Sequence, residues 1–225
     1  MNYAATVVIV SYNQARFVLR AVADVLAQSV PCEIIVADDG STDETLARLR
    51  RFGDRVAVLA LPHTGGPSAA RNAGIDAATT PYVSVLDADD RIAPEKIEKQ
   101  IEEMERSGRD WCLCDVLIEG WEEEDGSPAI AYGRPGWVGP DLAAYNVIPT
   151  AAPLLRVSLA RQVRFREDHP ADWERYPEDW LYWKAIARLA PAASVHEVLA
   201  TYSWVENGRS GRVGKDGKHL RARRP

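Results

Sequence analysis

The stretch Tyr82–Asp90, YVSVLDADD, decides how the rest of the chain is read. Tyr82 to Leu86 form a short apolar run, β-branched and aromatic, of the kind that makes a buried strand. Three carboxylates then arrive within four positions: Asp87, Asp89 and Asp90. A packed core does not accept them, because unpaired buried carboxylates cost several kcal/mol each or take up protons. They must sit where the strand leaves the sheet, and in an open α/β sheet that carboxyl edge is where ligands bind. An Asp-x-Asp pair there suits a hard divalent cation, Mn²⁺ or Mg²⁺, which prefers carboxylate oxygens and commonly bridges to substrate phosphates. The competing interpretation is a polar turn that caps the helix beginning near Pro94.

Working outward, Thr6 to Val10 (TVVIV) reads as a strand buried on both faces, and residues 15–28 follow with helical periodicity. Glu33 to Ala37 is a second strand, closed by Asp38-Asp39-Gly40, and Ser41 or Thr42 can cap the helix behind it. Val56 to Leu61 is a third strand. A Gly65-Gly66-Pro67-Ser68 turn leads into a small-residue helix over 69–78, and Pro94 opens an amphipathic helix running to about Arg106. Four strand–helix repeats predict an α/β fold: a Rossmann-like, mostly parallel sheet with helices on both faces. No G-x-G-x-x-G follows the first strand and no P-loop is present. Such a sheet holds a nucleotide by side chains and a metal, not by a glycine-cradled pyrophosphate.

After Gly108 the pattern loosens. Strands are expected at 111–119, 152–156 and 193–204, with a short helix at 158–163 and a strong one at 179–189. An acidic turn falls at 122–126, a Gly/Pro-rich loop at 133–140, a short helix at 141–145 and an irregular stretch at 173–178. The chain thus divides into a nucleotide-binding half, 1–108, and a less regular acceptor half of the same domain, 109–204. A basic tail follows at 205–225.

Composition narrows the class. A net charge of −6 argues against nucleic acid as the main partner. Cys32, Cys112 and Cys114 are too few for a disulfide framework and lack zinc-finger spacing, which points to a reducing, cytoplasmic location. No stretch approaches the ~20 apolar residues of a membrane span, and no signal-peptide pattern is seen at the N-terminus. The tail carries Arg209, Arg212, Lys215, Lys218, Arg221, Arg223 and Arg224. Such a cluster could bring the protein to an anionic membrane surface.

Polar residues close the first, second and fourth strands: Ser11-Tyr12-Asn13, Asp38-Asp39 and Asp87-Ala88-Asp89. A carboxylate can accept hydrogen bonds from a base N–H or a ribose, and an aromatic ring can stack on a base. Arg71, in GGPSAARNAG, can meet a phosphate bidentately, although a lone Arg is more often a surface ion pair.

VVIVSYN, VADDGSTDET, GGPSAARNAG, LDADD and PEDWLYWKA resemble, in order and spacing, the family 2 glycosyltransferases. The resemblance is close over residues 5–108 and looser over 150–204. It implies the GT-A fold and inverting, metal-dependent transfer from a nucleotide-sugar donor to a saccharide or lipid-linked saccharide acceptor. It further implies that Tyr12 lies against the base, Asp39 accepts its ring N–H, Asp87 contacts the ribose and Asp89 binds the metal. Arg71 would lie near the donor phosphates, and Ser11, Asn13, Asp38 and Ala88 would complete the donor site. UDP is the favoured nucleotide because Asp39 suits a pyrimidine N–H; dTDP offers the same edge.

Glu178-Asp179 matches the family's Glu-Asp motif, so the resemblance makes Asp179 the general base and Glu178 a residue that helps to position the acceptor. Inversion in one displacement requires a carboxylate to take the acceptor proton. Asp179 could also cap the helix that follows it, a role compatible with that of a base. It lies in the half without nucleotide motifs, so it is expected to sit far from the strand-end cluster and face the acceptor. One departure stands out: where many members carry Tyr-Arg-x-His, this chain has Tyr202-Ser203-Trp204-Val205. His196 reads as a strand residue, Trp183 as core, and Trp173 as a candidate to stack on an acceptor sugar. Rival functions are an inactive sugar- or partner-binding module and a sugar-nucleotide nucleotidyltransferase.

Overall fold

The computed structural model describes residues 2–122, 127–131, 146, 148–168 and 177–203. Glu122 of the expected acidic turn is instead the last residue of a strand; residues 123–126, the Gly/Pro-rich loop, the helix expected at 141–145, Trp173 and the basic tail lie outside the described residues.

Chain order begins β1 (Ala5–Ser11), α1 (Val18–Leu26), β2 (Cys32–Asp38), α2 (Thr45–Leu49), β3 (Ala57–Ala60), α3 (Pro67–Ala77) and β4 (Tyr82–Asp87). It continues with β5 (Arg91–Ile92), α4 (Lys96–Ser107), β6 (Trp111–Glu122), β7 (Pro128–Ala131) and β8 (Leu154–Arg156). It ends with α5 (Val157–Ala160), α6 (Glu178–Leu189) and β9 (Ala193–Tyr202). One sheet runs β3-β2-β1-β4-β8-β6-β9-β5, with β7 on the side of β6. From β3 to β4 every pairing is parallel. Beyond β4 the sheet turns mixed: β8 is antiparallel to β4 and β6, β9 runs parallel to β6, and β5 is antiparallel to β9.

All seven residues of β1 are buried, as its unbroken β-branched run requires of a strand covered on both faces. The β1–β2 register sets Ser11 beside Asp38, and the β1–β4 register sets Val10 beside Asp87. The polar strand ends therefore share one edge. Helix α3 packs on β1 and β2. Its Gly74 lies so close to the strand that a Cβ would fall 2.1 Å from Val8 Cγ1. Ile97 and Met104 of α4 are fully buried, and the helix ends on Gly108 in the left-handed conformation, φ 67°.

Two local expectations are corrected. Neither Ser41 nor Thr42 caps α2; the Thr45 N–H donates to Asp43 Oδ1 at 2.9 Å, and Ser41 turns back to Asp38 instead. Helix α1 starts at Val18, because residues 13–15 are spent on contacts to the 41–48 loop and helix.

Candidate active site

The first layer lies beneath the strand ends. Asp38 is fully buried and collects three donors: Ser11 Oγ–H at 2.7 Å, Ser41 N–H at 2.7 Å and Ser41 Oγ–H at 2.6 Å. Asn13 adopts a left-handed backbone, φ 53°, and its Oδ1 accepts the N–H groups of Thr42 at 2.8 Å and Asp43 at 3.2 Å. Ser11, Asn13 and Asp38 thus spend these groups on joining the loop after β1 to the loop after β2.

Tyr12 and Asp39 come next. Tyr12 is 42% exposed, and its ring stacks on His63 with centroids 4.2 Å apart and planes 13° from parallel. Asp39 Oδ1 accepts the Thr64 N–H at 2.9 Å and the Thr64 hydroxyl at 2.8 Å, while His63 Nδ1 lies 2.9 Å from Oδ2. His63 and Thr64 are absent from the sequence reading. The segment 62–66 carries no motif of its own, and only the fold brings it to Asp39. Gly40, φ +77°, permits this approach: a Cβ there would stand 2.7 Å from the His63 backbone nitrogen.

The Asp87–Asp90 turn holds the crowded carboxylates. The Ala88 N–H donates to Val10 O at 3.0 Å, tying the turn to β1, and Arg20 Nη2 donates to the Asp89 carbonyl at 2.8 Å. Burial, reinforced by the negative charge of Asp87, pushes the Asp89 carboxyl up to about 6. Asp90 is 1% exposed, and burial together with Asp87 and Asp89 drives its carboxyl well above the ordinary range. Its Oδ1 accepts the Ser203 N–H at 2.9 Å; its Oδ2 is buried without a partner among the described residues. Ser203, in the departing Tyr-Ser-Trp-Val segment, is therefore fastened to this turn. Trp204 and Val205 lie outside the described residues.

Arg71 is not the surface ion pair expected of a lone arginine. It is 3% exposed, with Nη2 donating to both oxygens of Asp87 at 3.0 Å and Nη1 to Glu178 Oε1 at 2.9 Å. Burial opposes its charge, but Asp87, Glu178 and Asp179 outweigh that and hold the guanidinium above its ordinary range. The start of α6 is accordingly placed against the end of β4, and the expected separation of Asp179 from the strand-end cluster does not hold. The 91 residues between Asp87 and Asp179 conceal a neighbourhood that β8, antiparallel to both β4 and β6, helps to create.

Asp179 Oδ2 accepts from Asn146 Nδ2 at 2.8 Å, and Oδ1 accepts the Trp180 N–H at 2.7 Å. The second bond lies within the first turn of α6, whose N-cap is Pro177, so Asp179 is not the cap of this helix. Burial first, then Glu178, raises the Asp179 carboxyl to about 6; Arg71, Trp180 and Asn146 limit the rise. A carboxylate in that range is a competent base near neutral pH. Trp183 is fully buried as core and His196 is an exposed residue of β9, as read from the sequence.

The sequence model described as Glycosyl transferase family 2 matches residues 6–164, well over half the chain. The chain belongs to glycosyl transferase family 2. A putative teichuronic acid biosynthesis glycosyltransferase, TuaG of Bacillus subtilis, is 31% identical over 223 residues, covering 95% of this chain and 84% of the relative. The succinoglycan biosynthesis protein ExoO of Rhizobium meliloti is 41% identical over 105 residues, 46% of this chain and 30% of that protein. Among solved structures, S. aureus TarS 1-349 in complex with UDP-GlcNAc aligns with a TM-score of 0.75 at 21% identity, over 94% of this chain and 61% of that one. The mannosyltransferase PcManGT from Pyrobaculum calidifontis, in complex with GDP-Man and Mn²⁺, gives 0.67 at 18% identity, over 92% and 59%. These likenesses establish the GT-A fold for this member of the family. The chain spans less than two thirds of the length of ExoO and of both structural relatives.

Proposed function

We propose that this family 2 glycosyltransferase moves a sugar from a nucleotide-sugar, a UDP-sugar first among the candidates, to an acceptor hydroxyl with inversion. The observation that carries the reading is the convergence of three units. Tyr12 and Asp39 form one, the Asp87–Asp89 turn a second, and Asp179 a third, joined to the second through Glu178 and Arg71. In this reading Tyr12 stacks on the base, Asp39 accepts its N–H through Oδ2, and Asp87 receives a ribose hydroxyl. Asp179 takes the acceptor proton as the hydroxyl attacks the anomeric carbon. A raised carboxyl suits that task, because its basicity approaches what the transfer demands while it stays largely ionised at neutral pH.

The residues fit a divalent cation held in part by the substrate. Among the described residues no three His, Cys, Asp or Glu side chains form an all-protein cage. The carboxyls of Asp89 and Asp90, raised by burial and by the charge of Asp87, with the buried Asp90 Oδ2 unpartnered among the described residues, nevertheless favour positive charge at this turn. Asp89 would be the protein ligand, with phosphate oxygens and water supplying the rest, the usual habit of Mg²⁺ at phosphate sites. When bound, such a cation would neutralise charge growing on the departing diphosphate.

The acceptor is a saccharide or a lipid-linked saccharide, in keeping with the polysaccharide-biosynthesis names that the relatives carry. Among the described residues no helix is long and apolar enough to cross a membrane. The basic residues of 209–224 would supply peripheral attraction of about 1 kcal/mol each to an anionic surface. Liposome co-sedimentation should weaken with salt and on deletion of 209–225; equal pelleting of both forms would discard the membrane component.

The donor assignment is tested by incubating the protein with a panel of nucleotide-sugars and Mn²⁺ and following free nucleoside diphosphate. Release from one or a few donors, strongest for UDP-sugars, is expected. Pyrophosphate-forming chemistry, or no turnover and no nucleotide binding, would reject it.

A further inference from the structure

Arg71 is doubly engaged. Its two terminal nitrogens hold Asp87, at the end of β4, and Glu178, in the first turn of α6. Its Nε is buried without a partner among the described residues, and its side-chain hydrogen bonds go to the two carboxylates. The surroundings fix it from below. The guanidinium lies over the Phe165 ring, 5.2 Å from the centroid, and Phe165 stacks on Tyr182 of α6 at 3.8 Å with planes 6° apart. The neighbouring Asn72 clamps the same phenylalanine's backbone, donating to Phe165 O at 2.9 Å and accepting the Phe165 N–H at 3.0 Å. Helix α3 thereby uses two consecutive side chains to align β4, the 165 segment and α6.

We propose that Arg71 is a positioning residue for sugar transfer: by holding Asp87 and Glu178 in one fork, it registers the donor side of the site to the base Asp179. Planar geometry is what the task requires. Two carboxylates on different elements are fixed at once only by a cation with several donors in a rigid plane, and a lysine offers a single point charge. A position of Arg71 near the donor phosphates is compatible with this role. Glu178 acts in the same unit, as the handle by which Arg71 orients the start of α6. The inference rests on the transferase reading above, with Asp179 as its base.

The test compares Arg71→Lys, Glu178→Gln and the double variant with wild type. Readouts are kcat, UDP affinity by calorimetry with Mn²⁺, and melting temperature. Arg71→Lys keeps the charge and is expected to fold, to bind UDP within about 3-fold of wild type and to lose about 10–100-fold in kcat. Glu178→Gln should show the same split. The double variant should be no slower than Arg71→Lys alone within about 3-fold, because both changes break one unit. Loss of UDP affinity as large as the loss of kcat would overturn the proposal in favour of a phosphate ligand. Multiplying effects of the two changes would overturn it by showing that the residues act independently. Should Arg71→Lys not fold, Glu178→Gln decides by itself: unchanged kcat refutes the proposal, and reduced kcat with unchanged UDP affinity sustains it. A wild type that binds no nucleotide would instead remove the transferase reading, a result distinct from any of these.

Discussion

The imidazole of His63 lies flat on the ring of Tyr12, with centroids 4.2 Å apart, while its Nδ1 reaches Asp39. One side chain thus braces both residues proposed to hold the base. A stacked pair contributes about 0.5–1.5 kcal/mol beyond its buried area, and a hydrogen bond to a charged group about 1.5–3 kcal/mol. His63→Ala should therefore weaken UDP binding by about 10-fold while leaving inorganic pyrophosphate binding within about 2-fold. Calorimetry on the two ligands checks this; a parallel loss for both would mean that His63 supports the loop and not the base.

Asp89 is the proposed metal ligand. Asp89→Ala should abolish the Mn²⁺-dependent part of UDP binding. It should leave the fold intact, since the side chain sits in a turn whose backbone bonds to Val10 and Arg20 remain. Binding titrations with and without chelator measure it, and full activity in excess chelator would refute the assignment.

With Asp179 as the proposed base, stability and activity should run in opposite directions with pH. Its folded pKa, about 6, lies above the ordinary Asp value, so its stabilising contribution is complete at low pH and is lost as pH rises through about 6. Moving from pH 7.5 to 5.5 should therefore raise the stability of the wild type by about 1 kcal/mol relative to Asp179→Asn, or about 2–4 °C in melting temperature. Transfer should fall over the same interval, because a protonated Asp179 cannot accept the acceptor proton. Paired thermal melts and a pH–rate profile report the two trends.

Gly74→Ala should destabilise the protein by about 1–3 kcal/mol, because the new methyl would stand 2.1 Å from Val8 Cγ1 and force α3 off β1. The same helix carries Arg71 and Asn72, so kcat should fall with stability. A melting temperature equal to that of the wild type would show that the helix–strand contact is less tight than described.

The repeating strand–helix pattern through residue 107 and the polar strand ends were legible because periodicity and charge there are local signals. TVVIV and YVSVLDADD announce a buried strand and a solvent-facing terminus without reference to the rest of the chain. The helix at 178–189 was legible for the same reason. Its position was not, because the antiparallel insertion of β8 between β4 and β6 leaves no trace in periodicity. The burial of Arg71, and the support of Asp39 by His63 and Thr64, depend on contacts between segments distant in sequence. Ser11, Asn13 and Asp38 show the converse. Sequence placed them at the ligand edge, but it could not tell a side chain facing the ligand from one spent on holding two loops together.

The measurement that bears most directly on the account is the separation of donor binding from transfer in Asp179→Asn. A general base contributes ~10²–10⁴-fold in rate, and asparagine keeps the size of the side chain while losing its capacity to take a proton. The variant should fold, bind UDP within a few-fold of wild type and transfer sugar about 10²–10⁴-fold more slowly. A folded Asp179→Asn that transfers at near wild-type rate would place the base elsewhere and contradict the proposed chemistry.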